Sequence, residues 1–129
     1  MDDSAVRTIL RRHIGGRETL EAGFSAYTGG GFGRLIFGVT ERRLLAVKSA
    51  YWSIKDRGLL WAEPLGEVAL SERATELHMN GANTGNTYIR LRRADGSVVR
   101  LNPRSSFIGD TDSAASNLAV LYAQVPNRF

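Results

Sequence analysis

Two short apolar runs, Arg34–Val39 and Arg43–Lys48, meet at the polar tripeptide Thr40-Glu41-Arg42. Runs this short and this rich in Leu, Ile, Val and Phe, joined by so tight a connection, point to an antiparallel hairpin. Leu35, Phe37 and Val39 fall on one face and Ile36 on the other, so the first strand is expected to be covered in part on both sides. Gly38 marks a bulge or a close backbone approach. Thr40 is placed to brace the turn with a local hydrogen bond.

The flanking chain extends this hairpin into a sheet. Asp3 to Ile14 has helical spacing, with Val6, Ile9, Leu10 and Ile14 on one face and Gly15-Gly16 as the stop. A helix this short is marginal alone and must dock on the sheet or on a partner. Glu18 to Ala26 alternates as a half-buried strand. The glycine cluster from Tyr27 to Gly33 lacks the Gly-Lys-Ser/Thr of a phosphate-binding loop and leads into a strand, so it reads as a hairpin loop. Leu59–Glu63 is a further strand, ended by Pro64, and Leu65 to Met79 a fifth strand region. Asn80 to Asn86 is read as a turn, too polar for a strand. Thr87–Arg92 and Val98–Leu101 alternate on either side of Ala94-Asp95-Gly96, and Asp-Gly between such runs is the strongest short-range hairpin signal. Asn102-Pro103 closes the sheet. Asp110 to Ser113 supply caps for a last helix reaching about Gln124, with Phe107, Leu118, Leu121 and Val125 as its apolar stripe and Pro126 as its stop.

Helix, about seven short strands and helix, with no strand–helix–strand alternation, point away from a parallel sheet. The expected class is mainly β with flanking helices (α+β): a bent antiparallel sheet or partly open barrel capped by a C-terminal helix. Residues 1–16 form the N-terminal helix and 17–125 the β domain in this reading. A chain of 129 residues suffices for one core.

Several chemistries drop out. The chain has no cysteine, hence no thiolate nucleophile, disulfide or cysteine-based metal site. His13 and His78 are its only imidazoles and fall in different elements, so no catalytic or metal cluster takes shape around them. No enzyme, cofactor or small-molecule substrate is inferred. No apolar run approaches the roughly 20 residues that span a bilayer, and the acidic start Met1-Asp2-Asp3-Ser4 is not a secretory signal. A cytoplasmic location is the simplest reading.

The net charge is +4, with lysine only at positions 48 and 55. Attraction to phosphates is permitted, although acidic residues are interleaved with the cations along most of the chain. The most singular stretch is Ser49 to Gly58. Lys48, Tyr51, Trp52, Lys55 and Arg57 bring aromatics and cations into one loop and its flank, a combination that a membrane-surface or nucleic-acid contact uses. The plainer alternative is that Trp52 and Ile54 fold back over the sheet edge. Arg90, Arg92 and Arg100 share the wet face of the last hairpin near Tyr88; a nucleic-acid surface looks similar, but a solvated sheet face fits better.

Gly38-Val39-Thr40-Glu41-Arg42-Arg43-Leu44-Leu45-Ala46-Val47, the later Pro64–Val68, the Asp95-Gly96 hairpin and a closing helix together resemble the bacterial pleckstrin-homology-like (PH-like) domains of the YokE-like type. The phrase G-x-T-x-x-R-L-L of that family is matched by Gly38, Thr40, Arg43, Leu44 and Leu45. The resemblance spans roughly Glu18 to Gln124 and implies a non-enzymatic binding module. It acts through a protein partner or self-association, or else at an anionic membrane surface through Lys48 to Arg57. Relatives that bind phosphoinositides use cations in the first inter-strand loop; here Tyr27 to Gly33 holds none, with only Arg34 at its end.

Overall fold

A computed structural model describes the backbone of residues 3–28, 33–50, 53–72, 75–79, 82–102 and 119–129, and the side chains of 5–28, 33–50, 53–72, 89–101 and 119–129. Its elements follow from the alternation of apolar residues. Helix α1 (Asp3–Arg11) precedes strands β1 (Leu20–Thr28), β2 (Gly33–Thr40), β3 (Arg43–Ser49) and β4 (Leu59–Pro64). After a short 3-10 turn at Leu65–Glu67 come β5 (Ala69–Leu70), β6 (Thr75–Met79), β7 (Ala82–Arg92) and β8 (Val98–Asn102). Residues 119–124 are helical (α2), and β9 (Asn127–Arg128) follows Pro126.

The strands form one curled sheet in the order β4-β3-β2-β1-β8-β7-β5-β9, with β6 paired to the first part of β7. Pairing is antiparallel except between β5 and β9. The fold is therefore mainly β, as the alternation requires. Two details depart from the sequence reading. The single region Leu65–Met79 divides into the 3-10 turn, β5 and β6, because β5 and β6 take different stretches of β7 as partner. Ala82 to Asn86, read as turn, belongs to β7: Met79 pairs with Ala82 and His78 with Asn83. Backbone pairing needs no apolar side chains, so polarity misled there. With β9 added, the described residues hold nine strands rather than about seven. The expected caps at Asp110 to Ser113 and the stripe residues Phe107 and Leu118 lie outside the described residues.

The core has two parts, one on each face of β2. Phe24, Leu35, Phe37, Val39, Leu44, Ile89, Leu91, Leu101, Leu121 and Val125 fill the concave side. Phe24 stacks on Phe37 with ring centroids 5.6 Å apart, and Trp61 meets Phe37 edge-on at 6.1 Å. On the convex side, Val6, Ile9 and Leu10 of α1 pack on Ile36 and Val47. Ile36 thus faces away from Leu35 and Phe37, and β2 is covered on both sides. Gly23 and Gly38 lie directly opposite each other across β1 and β2. The Leu10 side chain sits over this pair, so close that a Cβ on Gly38 would lie 2.7 Å from Leu10 Cδ2 and one on Gly23 2.6 Å from Cδ1. Two glycines make the floor of a leucine socket, and α1 docks on its own sheet through it.

The family-like phrase is the scaffold around this socket. Thr40 Oγ1 accepts hydrogen bonds from Arg42 N and Arg43 N, both at 3.1 Å, and so braces the turn. Arg43 reaches back to the chain entering β1. Its Nε lies 2.9 and 3.0 Å from the two Glu18 carboxylate oxygens, and its Nη2 donates to Glu18 Oε1 at 2.7 Å and to the His13 carbonyl at 3.2 Å. The Arg43 guanidinium, whose hydrogen bonds weigh most, and the Thr40 hydroxyl hold the Glu18 carboxyl down at about 2.

The far side of the sheet is closed by side chains. Arg93, entering the β7–β8 turn, pairs with Glu63 of β4 at 2.9 Å and lies over the Trp61 ring at 4.8 Å. Glu63 also accepts from Ala94 N at 3.1 Å. The turn itself runs as the Asp-Gly pair requires: Gly96 has φ +88°, and Arg93 N donates to Ser97 O at 2.8 Å. The chain after Pro126 returns to the sheet edge, where Phe129 N donates to Leu70 O at 3.0 Å.

Candidate functional site

The segment from Ser49 to Gly58 leaves β3 and comes back beside it. Lys48 N donates to Gly58 O at 2.9 Å and Arg57 N donates to Lys48 O at 2.8 Å, so Arg57 and Lys48 are neighbours across two chains. Gly58 has φ +103°, a left-handed conformation that favours glycine where the chain turns into β4. The buried Ser49 hydroxyl organises the interior of the loop: it accepts from Lys55 N at 3.1 Å and lies 3.1 Å from Ser53 O.

Two contacts fasten the loop to α1. Ile54 packs against the Val6, Ile9 and Leu10 cluster. Asp56 binds on both of its oxygens. Oδ1 accepts from Gly58 N at 3.0 Å, while Oδ2 lies 3.0 Å from His13 Nε2 and 3.7 Å from Arg12 Nη1. The Gly58 amide first, then His13 and Arg12, hold the Asp56 carboxyl below its usual range.

Asp56 is the one acidic residue between Lys48 and Glu63, and it is turned toward α1. Lys48, Lys55 and Arg57 remain exposed. Among the described residues, no carboxylate pairs with any of the three. Such a set of exposed cations attracts anions. A cation close to an anionic membrane surface contributes about 1 kcal/mol, screened by salt.

Of the five residues singled out from sequence, Lys48 and Arg57 are thus adjacent and Lys55 lies on the same loop. Tyr51 and Trp52 lie outside the described residues. Ile54 folds back as the plainer alternative held, though onto α1. Sequence reasoning missed His13, Arg12 and Asp56, because 43 positions separate His13 from Asp56 and no local pattern links them.

The arginine face of the last hairpin has a different neighbour from the one expected. Arg90 stands opposite Arg100 in the register. The aromatic beside it is Phe129, with the Arg92 guanidinium 4.8 Å and that of Arg90 5.6 Å from its ring centre; the Tyr88 side chain lies outside the described residues. Part of this face is therefore occupied by the chain's own C-terminus. Arg34, the single cation near the first inter-strand loop, is buried and donates to Ser25 Oγ at 3.0 Å. It lies over the Tyr27 ring at 5.2 Å.

Beside β4 there is a cavity of about 240 Å³ lined by Leu35, Leu60, Trp61, Arg93, Val98 and Val99. β4 is an edge strand with a bulge. Ala46 pairs with Trp61 and Val47 with Leu59, leaving Leu60 as the extra residue. Leu59, Leu60 and Val98 are 43%, 42% and 50% exposed. No group of three His, Cys, Asp or Glu that could hold a metal ion occurs among the described residues.

A bent sheet with its strands in this order and a helix at the end of the chain is the pleckstrin-homology-like fold. A solved structure agrees. The chain is similar to the Slm1 PH domain solved in complex with phosphoserine, with a TM-score of 0.56 at 15% identity, over 84% of this chain and 99% of that one. A second structure of that domain, in complex with D-myo-inositol-4-phosphate, aligns with a TM-score of 0.47 at 17% identity over 80% and 97% of the two chains. No protein-family model matches the chain, and no curated protein matches it in sequence.

Proposed function

We propose that the protein is a non-enzymatic PH-like binding module that holds an anionic, phosphate-bearing surface through Lys48, Lys55 and Arg57. One observation carries this reading: Asp56 is drawn off to Gly58 and His13, which leaves three exposed cations, Lys48 at the end of β3 and Lys55 and Arg57 on the loop beside it, without a carboxylate partner among the described residues. Phosphoserine in the Slm1 PH domain supports a phosphate group as the ligand class for a fold of this kind. The loop differs from the first inter-strand loop, where Arg34 is turned inward. The proposed attachment is peripheral, through these side chains; no helix among the described residues is long and apolar enough to cross a membrane. A cytoplasmic setting and a YokE-like bacterial kinship, carried by Gly38 to Leu45, belong to the same proposal.

The test is flotation with vesicles containing phosphatidylserine. Lys55→Glu with Arg57→Glu should lower binding by at least about tenfold, from about 1 kcal/mol for each cation lost, with the circular dichroism spectrum unchanged. Binding that persists in this variant would remove the loop from the function.

The exposed Leu59 and Leu60 on an edge strand favour a second reading, self-association of two copies through β4. Light scattering of the native chain and of Leu60→Lys tests it. A native dimer that the substitution converts to a monomer supports this reading, and a native monomer at high concentration removes it.

A further inference from the structure

We infer that the end of α1 completes the binding face: Arg12 stands across a groove from Lys55, and the His13–Asp56 contact clamps the cationic loop to the helix, so that protonation of His13 strengthens binding. This rests on the reading proposed above for Lys48, Lys55 and Arg57.

The groove is real space of about 420 Å³ between α1 and the loop, lined by Thr8, Ile9, Arg12, Ile54, Lys55 and Asp56. Its apolar floor comes from Ile9 and Ile54, which belong to the cluster that seats the helix. One cation stands on each wall. Among the described residues, this clamp is what links the loop's polar groups to the end of α1, and it joins that end to the residue that precedes Arg57. Freed from it, Asp56 could turn toward Lys55 or Arg57 and neutralise them, since Asp56 lies between the two in the chain. The clamp therefore does two things. It fixes the loop, and it keeps the loop's carboxylate away from its cations.

Charge decides how firmly it does so. The groups around His13 are Asp56 of the loop, Arg12 beside it on the chain, and Arg43 of β3, which donates to the His13 carbonyl and is itself committed to Glu18. Asp56 is the carboxylate that the imidazole meets. Neutral His13 can still donate one hydrogen bond to it. Protonated His13 adds an ion pair, and it also adds a positive charge to the binding face. Both effects act in the same direction. Imidazoles change charge between about pH 5 and 8, so affinity for an anionic surface should rise as pH falls through that range. A partly exposed pair and one added cation together predict an increase of about threefold to tenfold.

The experiment measures partition onto phosphatidylserine/phosphatidylcholine vesicles between about pH 8 and pH 5.5 for the native protein and His13→Gln. Lipid titration and His78 contribute equally to both proteins, so the difference in slope reports His13. The native protein should gain about threefold or more over His13→Gln on acidification. In parallel, nuclear magnetic resonance follows the Lys55 and Gly58 amides without vesicles; both should shift with pH in the native chain and stay still in His13→Gln. Equal vesicle slopes, or loop amides that ignore His13, would overturn the inference. Titrating loop amides in a protein that does not bind vesicles at all would leave the clamp standing and refute the proposed function instead.

Discussion

Placing a methyl group on Gly38 tests whether α1 is seated by a backbone socket. Without a neighbour, Gly→Ala inside a strand stabilises by about 0.5–1 kcal/mol, because the unfolded chain loses freedom. Here the new Cβ would stand 2.7 Å from Leu10 Cδ2 and 3.1 Å from Cδ1. A side-chain tip in open space would move aside cheaply. Leu10 has no open space: it is 0% exposed and packed among Val6, Ile9, Ile36 and Val47. Overpacking of this kind costs about 1–3 kcal/mol. Set against the backbone gain, Gly38→Ala should destabilise by about 1–2 kcal/mol in urea unfolding, with the slope unchanged. Leu10→Ala alone should cost about 2–5 kcal/mol. The two together should cost less than their sum by at least about 1 kcal/mol, since the shortened side chain leaves room for the methyl group. Gly38→Ala should then be neutral or stabilising in the Leu10→Ala background. An equal cost in both backgrounds, or no cost in the native one, would refute the socket.

Two further outcomes follow from the polar contacts. Glu18 has its carboxyl held at about 2 in the folded chain against an ordinary 4.5, so its contribution is fully present above pH 4.5 and is lost as pH falls toward 2. Acid unfolding of Glu18→Gln should therefore be shallower than that of the native protein across that window, and at neutral pH the variant should be less stable by about 1–2 kcal/mol. Arg93→Leu should open the seam between β4 and the β7–β8 turn by leaving the Glu63 carboxylate without its cation, at a cost of about 3 kcal/mol in urea unfolding. Loss of less than 1 kcal/mol would show that the pair is a solvated one.

Much of this architecture was legible in the alternation of residues. Leu35, Phe37 and Val39 opposite Ile36 foretold a strand covered on both sides, and Asp95-Gly96 foretold the last hairpin. Gly38 was legible as a special position, read as a bulge or a close backbone approach; what stands against it is the Leu10 side chain. Gly23 was not, because its role exists only once β1 lies against β2 and α1 lies over both. Ala82 to Asn86 misled because a strand held by backbone pairing needs no apolar pattern. β9 was missed for a related reason: two polar residues after a proline carry no periodicity, yet their backbone completes the edge of β5. The candidate site was legible in part. The clustering of Lys48, Lys55 and Arg57 is a fact of sequence, but the removal of Asp56 from among them depends on His13, a residue in another element. The exposed face of Arg90 and Arg92 was also visible, though not that Phe129 would return to cover it.

The most direct test of the central claim is flotation of the native protein with phosphatidylserine-containing and purely phosphatidylcholine vesicles at low and high salt, with light scattering on the same sample. The account predicts recovery with the anionic vesicles alone, weakened as salt shortens the reach of the three loop cations. Equal recovery on both vesicle types, or recovery on neither, would contradict it.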